Sequence, residues 1–270
     1  MYVGMARSVY LMTGFRSVRS AVGSLLRRLG LRGPISERSA RLALHETATG
    51  RFYLPADAKM DIIARAIIDS KVYDEKVYFT ALKHIKPGPA VLDVGANFGQ
   101  MSVLYSKAVG PTGKVYSFEA DKFIFEVLSK NLDANGCVNA VPVFGAVHDV
   151  PGVVLHYPEH NFERFTTYGA YGIDYNAKTG QDVQSLTIDG LSINEPVSFM
   201  KVDIQGGDLF ALRGAVETIK RNRMPIIFEY EEDFQEDYKL SFQDYVDFVR
   251  GIGYKFDKVV DKSNYLIIPN

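Results

Sequence analysis

The stretch Val91-Leu-Asp-Val-Gly-Ala-Asn-Phe-Gly-Gln100 constrains this chain more than any other. An apolar run ends at Asp93, glycines at 95 and 99 free the backbone, and helical spacing follows from Phe98 to about Ala108. The order is strand, tight turn, helix start. In an open α/β sheet, ligands bind beyond the carboxyl ends of the strands, where a helix N-terminus offers unpaired N–H groups. The turn is therefore the expected cradle of a cofactor.

The rest of the chain repeats the rhythm. Lys114 to Phe118 alternates as a strand ending at Glu119, a helix from about Asp121 stops at Asn135-Gly136, and Ala140 to Val147 supplies a third strand. Val197 to Val202, a helix over Gly206 to Lys220, and Pro225 to Tyr230 resume the pattern; Ser241 caps a helix to Gly251. Strands and helices alternating through short links predict a parallel, doubly wound sheet. Tyr254 to Val260 and Tyr265 to Ile268, joined by a short turn, predict a terminal antiparallel hairpin.

Two regions stand outside that rhythm. Between strands at Val153–His156 and Val183–Ile188 lies a loop, about 157–181, carrying Tyr157, Phe162, Phe165, Tyr168, Tyr171 and Tyr175. Loops this long are usually functional or disordered, and the aromatic content argues for a lid or substrate wall. Upstream, Ser36 to Lys86 reads as mainly helical and ends at Pro87-Gly88-Pro89, giving a helical N-terminal extension over 1–72 ahead of a main domain over 73–270.

Charge is informative by distribution. Lys and Arg total 31 against 32 Asp and Glu, so nothing global argues for a nucleic-acid partner. Met1 to Ile35, however, holds six arginines and no acid. Within it Val18, Val22, Leu25, Leu26 and Leu29 recur at helical spacing. This basic amphipathic helix suits docking on an anionic membrane surface or an acidic partner, packing on its own domain, or self-association. The single cysteine, Cys137, excludes an internal disulfide and a cysteine zinc site and fits a reducing compartment. With no run of 18 apolar residues and no uninterrupted signal-type apolar region, a cytoplasmic location is expected.

A dinucleotide fingerprint needs three glycines, but a template begun at Gly95 meets Asn97 and Gln100 at its second and third positions. Gly113-Lys114 is followed by Val115, so no triphosphate loop exists there either. A nucleoside without phosphates fits better. Glu119, twenty residues after Gly99 and ending a strand, is placed to accept hydrogen bonds from both hydroxyls of a ribose.

Leu92-Asp-Val-Gly-Ala-Asn-Phe-Gly99, Ser117-Phe-Glu-Ala-Asp121, Lys201-Val-Asp-Ile-Gln-Gly-Gly-Asp208 with Leu212-Arg-Gly-Ala215, and Ile227-Phe-Glu-Tyr230 together resemble the FkbM-type branch of the class I S-adenosylmethionine-dependent methyltransferases. The resemblance runs from roughly Tyr73 to the C-terminus. It implies a three-layer, Rossmann-like α/β fold on a mostly parallel seven-stranded sheet. It also implies transfer of a methyl group from S-adenosylmethionine, leaving S-adenosylhomocysteine, to a hydroxyl of a sugar, glycolipid or natural product. The family pattern reads Asp-Val-Glu-Gly-Ala-Glu where this chain has Asp203-Ile-Gln-Gly-Gly-Asp208, so Gln205 brings an amide in place of a charge.

Several residues are candidates for the chemistry. Asp93, Gly95, Ala96, Asn97 and Gly99 form the cofactor turn, with Glu119, Ala120 and Asp121 at the ribose and Val147, His148 and Asp149 at the base. Asp203, ending a strand, is the leading candidate for the general base that an alcohol nucleophile needs, with binding of the methionine moiety as its rival role. His148 and Glu229 are the other candidate bases. Gln205, Glu229, Tyr171 and Tyr175 are candidates for holding the acceptor. Asp203 and Glu229 carry hard oxygen ligands, but a divalent metal is not expected. The alternative reading, from a different class, is a catalytically weak or inactive protein that keeps the fold as a binding scaffold.

Overall fold

The computed structural model describes residues 41–56, 58, 60–160, 166–176 and 180–270. The amphipathic stretch Val18–Leu29, with Phe162 and Phe165, lies outside the described residues.

A seven-stranded sheet forms the centre. Its strands are β3 (Ala90–Val94), β4 (Val115–Glu119), β5 (Ala140–Phe144), β9 (Val197–Val202), β10 (Ile226–Glu229), β11 (Tyr254–Val259) and β12 (Asn264–Pro269), in the spatial order β11-β12-β10-β9-β3-β4-β5. All pairings from β5 to β10 are parallel, and β12 runs antiparallel to both β10 and β11. The terminal hairpin thus closes one edge as expected. Strand order reverses between β3 and β9, and that switch point is where an α/β sheet opens a crevice.

Alternate residues of each strand feed opposite faces. Leu92, Met200, Ile226 and Phe228 pack with Leu209, Leu212, Ile219 and Tyr245 from α5 (Asp208–Arg213), α6 (Val216–Asn222) and, after the short α7 (Glu232–Tyr238), α8 (Phe242–Gly251). Val91, Phe199, Ile227 and Leu266 pack with Val77, Ala81, Tyr105 and Val109 from α2 (Glu75–Leu82) and α3 (Gln100–Val109). Helices on both faces give three layers, and the near-continuous apolar strands follow from burial on both sides.

Three expectations are corrected. The stretch from Ser36 to Lys86 is not mainly helical in its described part: β1 (Leu42–Thr47) and β2 (Gly50–Pro55) form an antiparallel hairpin before α1 (Ile62–Ile68) and α2. The hairpin is held from outside by α4 (Lys122–Ala134) and its C-cap. The Asn131 side chain pairs with Tyr53 N and O at 2.6 and 3.1 Å, and Asn135 pairs with Arg51 N and O at 2.9 and 2.7 Å. Two asparagine amides four residues apart thus act as a neighbouring strand would.

The single helix expected over Gly206–Lys220 is two helices: the first ends at Gly214, where a side chain would meet the His148 carbonyl oxygen at 2.0 Å, and Ala215 leaves helical geometry at φ -123° before the second. The third strand is also split. After Phe144 the chain bends at Gly145, and β6 (Ala146–Val147) joins a small separate sheet with β7 (Val154–Tyr157) and β8 (Gln181–Leu186). That small sheet carries the aromatic loop. Among the described residues, no helix is long and apolar enough to cross a membrane.

Candidate active site

A cavity of about 620 Å3 opens at the switch point. Its wall includes Gly95, Ala96 and Asn97 after β3, Glu119 and Ala120 at the end of β4, Val147 and His148 at the end of β6, Asp203 and Gln205 after β9, and Glu229 at the end of β10. Tyr171 and Tyr175 of the aromatic loop line it too. The residues expected from five separate strand ends therefore meet in one place.

Four expected site residues do not face the cavity. Asp93 lies beneath it, fully buried and accepting from Ser102 Oγ at 2.6 Å. Gly99 caps α3 at φ 84°, where a side chain would strike Leu128. Asp121 caps α4 by accepting from Ile124 N, and its other oxygen meets His160 Nε2 at 2.5 Å. Asp149 holds His148 Nδ1 at 2.7 Å. Each supports the wall from behind.

The turn after β3 is built by close approach. Gly95 adopts φ 80°, and Asn97, without glycine's freedom, adopts φ 50°. Asp74, Asn97 and Gln205, three non-glycine residues in the left-handed region, all line the cavity. Such backbone strain gathers at functional sites, where the surroundings over-determine it.

Glu119 is the carboxylate of this half. One of its oxygens accepts from Ala120 N and Asp121 N at 2.8 and 2.9 Å, and the other accepts from Asn97 N at 2.9 Å. Burial pushes its carboxyl up to about 7, against the pull of those three N–H donors. The carboxylate still has lone pairs for hydroxyl donors from a ligand.

The other half is organised by Lys201, which sequence reasoning quoted in a motif but gave no role. Lys201 and Asp93 are register partners on adjacent parallel strands and point to the same face. The buried ammonium donates to Gly95 O at 3.3 Å, lies 3.8 Å from Asp93 Oδ1, and pairs with Asp203 Oδ2 at 3.2 Å. Burial alone would lower the Lys201 pKa, but Asp203 and Asp93 hold it above its ordinary value. A lysine in a strand buried on both faces needs such partners, and that was the available signal.

Asp203 and Glu229 diverge. Burial favours the neutral acid at Asp203, yet Lys201 outweighs it and holds this carboxyl below its usual range. Burial and the Asp203 charge push Glu229 well above its range. Together they form a buried pair that keeps one negative charge. Gln205 Nε2 donates to Asp203 Oδ1 at 3.3 Å and Glu229 Oε2 at 3.1 Å, while Ser263 Oγ donates to Glu229 Oε1 at 3.0 Å. Asp74, also pushed up by burial and then by Asp203 to about 7, was not foreseen as part of this wall.

His148 sits apart from that pair. Its ring stacks on Phe210 at 4.7 Å, and Nε2 meets the Tyr175 hydroxyl at 2.6 Å. Burial lowers its pKa, so it is neutral near pH 7. With Nδ1 engaged by Asp149, Nε2 accepts from Tyr175. Among the described residues, no group of three or more His, Cys, Asp or Glu side chains is arranged to hold a metal ion.

The wall suits a cationic nucleoside. Carboxylates outnumber ammonium groups along it, the Glu119 carboxyl stands at one end, and the ionised Asp203 carboxylate stands at the other. The family model for the methyltransferase FkbM domain matches residues 93–256. The chain is 25% identical over 198 residues to methyltransferase sdnD of Sordaria araneosa, covering 62% of this chain and 73% of that protein. It is 26% identical over 98 residues to the ubiquinone/menaquinone biosynthesis C-methyltransferase UbiE of Cupriavidus pinatubonensis, covering 36% and 37%. Among solved structures, methyltransferase FkbM from Methylobacillus flagellatus superposes with a TM-score of 0.46 at 15% identity, covering 76% of this chain and 59% of that one.

Proposed function

Because the chain belongs to the FkbM family of S-adenosylmethionine-dependent methyltransferases, we propose that it methylates a hydroxyl group on a polyhydroxylated acceptor such as a sugar, glycolipid or natural product. The observation that carries the reading is the meeting of Glu119 with the Asp203–Glu229 pair across one cavity. One end recognises a nucleoside and the other handles a proton.

S-adenosylmethionine, when bound, supplies an electrophilic methyl on a sulfonium. Glu119 accepts from its ribose hydroxyls, the Gly95-Ala96-Asn97 backbone leaves room beside them, and Val147, His148 and Ala120 flank the base. Asp203 and Glu229 face the acceptor hydroxyl, with Gln205 between them. A low pKa makes Asp203 a weak base, but an alcohol oxygen becomes strongly acidic as its bond to the methyl forms. A weak base is then enough, and the proton passes to the Asp203 carboxylate. His148 is engaged by Asp149, Tyr175 and Phe210, which favours a place at the cofactor's base over proton transfer. Orientation supplies the larger part of the acceleration, up to ~7–11 kcal/mol for well-placed reactants.

Tyr171 and Tyr175 offer ring faces suited to the apolar faces of a sugar, and the charges of Lys76, Lys262, Glu231 and Asp261 mix at the cavity wall. Calorimetric titration with S-adenosylmethionine, S-adenosylhomocysteine and NAD tests the donor: binding of both sulfur nucleosides and not NAD is expected, and binding of neither overturns the reading. Transfer of labelled methyl to fractionated cell extract, with products identified by mass spectrometry, tests the acceptor. A methyl ether on a hydroxylated product is expected; a methylated carbon or nitrogen instead would refute O-methylation.

A further inference from the structure

Gln205 is the side chain that bridges the two facing carboxylates. Its amide orientation follows from chemistry. Asp203, the ionised member of the pair, can only accept, so the atom 3.3 Å from its Oδ1 and 3.1 Å from Glu229 Oε2 is the NH2 group, spending one N–H on each. The side-chain carbonyl remains available to an acceptor hydroxyl.

The backbone that aims this amide is held against its own preference. Gln205 adopts φ 54°, a conformation open to glycine and costly to a residue with a Cβ. Two neighbours keep it there. Gly206 follows at φ 93°, where a Cβ would lie 2.7 Å from the Tyr238 ring, and a Cβ on Gly172 of the aromatic loop would lie 2.9 Å from Gln205 O. The loop that walls the acceptor side is thus packed directly on the Gln205 turn.

The surroundings explain why a neutral donor is useful here. Lys201 approaches Asp203 from β9, while Asp74 before α2, Asp208 of α5, Glu231 after β10 and Asp261 of the terminal hairpin all add negative potential. A third carboxylate at 205 would add to that field, whereas an amide offsets it without introducing a charge.

We propose that Gln205 is a positioning residue whose amide clamps the hydrogen-bonded Asp203–Glu229 pair by donating to both carboxyls, so that the pair presents a single charged carboxylate to the acceptor. The inference rests on the O-methyltransferase reading for its purpose, but the clamp itself can be tested without turnover. Carbon-13 labelling of the Asp and Glu carboxyls in the full chain, followed by NMR titration, reads the pair directly. The Gln205→Gly variant removes the amide while relaxing the backbone, so folding is preserved; Gln205→Leu fills the space without a donor.

Both variants should raise the pH at which the pair first takes up a proton by half a unit or more, because two donors to the charged form are lost. Gln205→Glu should raise it further. Affinity for S-adenosylhomocysteine should stay within about threefold in Gln205→Gly, since the cofactor's ribose end is untouched. An unchanged carboxyl titration in both Gln205→Gly and Gln205→Leu overturns the clamp. Failure of the wild-type chain to bind S-adenosylhomocysteine would instead overturn the methyltransferase reading, leaving the carboxyl titration to decide the clamp.

Discussion

A Cβ atom on Gly95 would lie 1.9 Å from the carbonyl oxygen of Asp203, so the turn after β3 and the end of β9 touch through a missing side chain. The same two ends are joined by Asp203 N donating to Val94 O at 3.0 Å and Lys201 Nζ donating to Gly95 O at 3.3 Å. In sequence, Gly95 reads as a glycine that makes room for a ligand. In the fold, its first task is to let the ends of β3 and β9 meet.

Gly95→Ala should therefore damage both halves together. The left-handed backbone at φ 80° costs ~1–3 kcal/mol for alanine, before the clash with a backbone carbonyl that cannot swing away. Calorimetry should show a melting point lowered by roughly 5 °C or more, with weakened S-adenosylmethionine binding. A variant with the wild-type melting point and full affinity would mean that the contact is readily relieved.

Lys201→Met should be still more damaging. It leaves Asp203 and the wholly buried Asp93 without their shared cation, and breaking a buried pair from one side costs ~3–5 kcal/mol. Denaturant unfolding should show that loss, and adding Asp93→Asn should recover part of it. No recovery in the double variant would argue that Lys201 acts mainly through Asp203 and the Gly95 carbonyl.

Glu119 gives a prediction in pH. Its carboxyl is pushed up to about 7 by burial, while an exposed glutamate titrates near ~4.3. A raised folded-state pKa contributes stability that is complete below the unfolded value and is lost as pH rises through the folded one. Glu119→Gln cannot ionise, but its NH2 group cannot accept the N–H that one Glu119 oxygen accepts, so it should start less stable than wild type near pH 4 and gain on it by roughly 1–3 kcal/mol by pH 8 in denaturant unfolding. The same variant should bind S-adenosylmethionine more weakly. A stability difference independent of pH would contradict the buried, shifted carboxyl.

Much of this site was legible because strand ends carry their own marks. Glu119, Asp203 and Glu229 each close an apolar run, and the doubly wound rhythm sends such ends to one edge of the sheet. What was not legible depends on distant partners. The hairpin at Leu42–Pro55 is completed by Asn131 and Asn135, some eighty residues downstream, so its local pattern could not outweigh helical spacing. Gly214, where the helix is interrupted, packs against the His148 carbonyl, a contact no local window contains. Asp93 reads either as an acid that orients the turn or as one that meets the ligand, and strand alternation turns it toward Ser102 and Lys201, beneath the cavity floor.

Gln100 shows the same principle at the residue that argued most clearly against a dinucleotide. It stands where that fingerprint needs its third glycine, and its side chain is buried. The amide donates to Lys71 O at 2.7 Å and Thr49 Oγ1 at 3.2 Å and accepts from Tyr73 N at 2.9 Å. It therefore ties the N-terminal hairpin and the segment bearing Tyr73 and Asp74 to the first turn of α3, and both of those residues line the cavity. Restoring the template with Gln100→Gly should not create NAD binding. It should remove three hydrogen bonds and add glycine's helix penalty, a loss of ~2–4 kcal/mol. Hydrogen exchange should rise at Tyr73 N before the central strands respond, because the tie to the cap fails first. Unchanged protection at Tyr73 would show that the cap is held without Gln100.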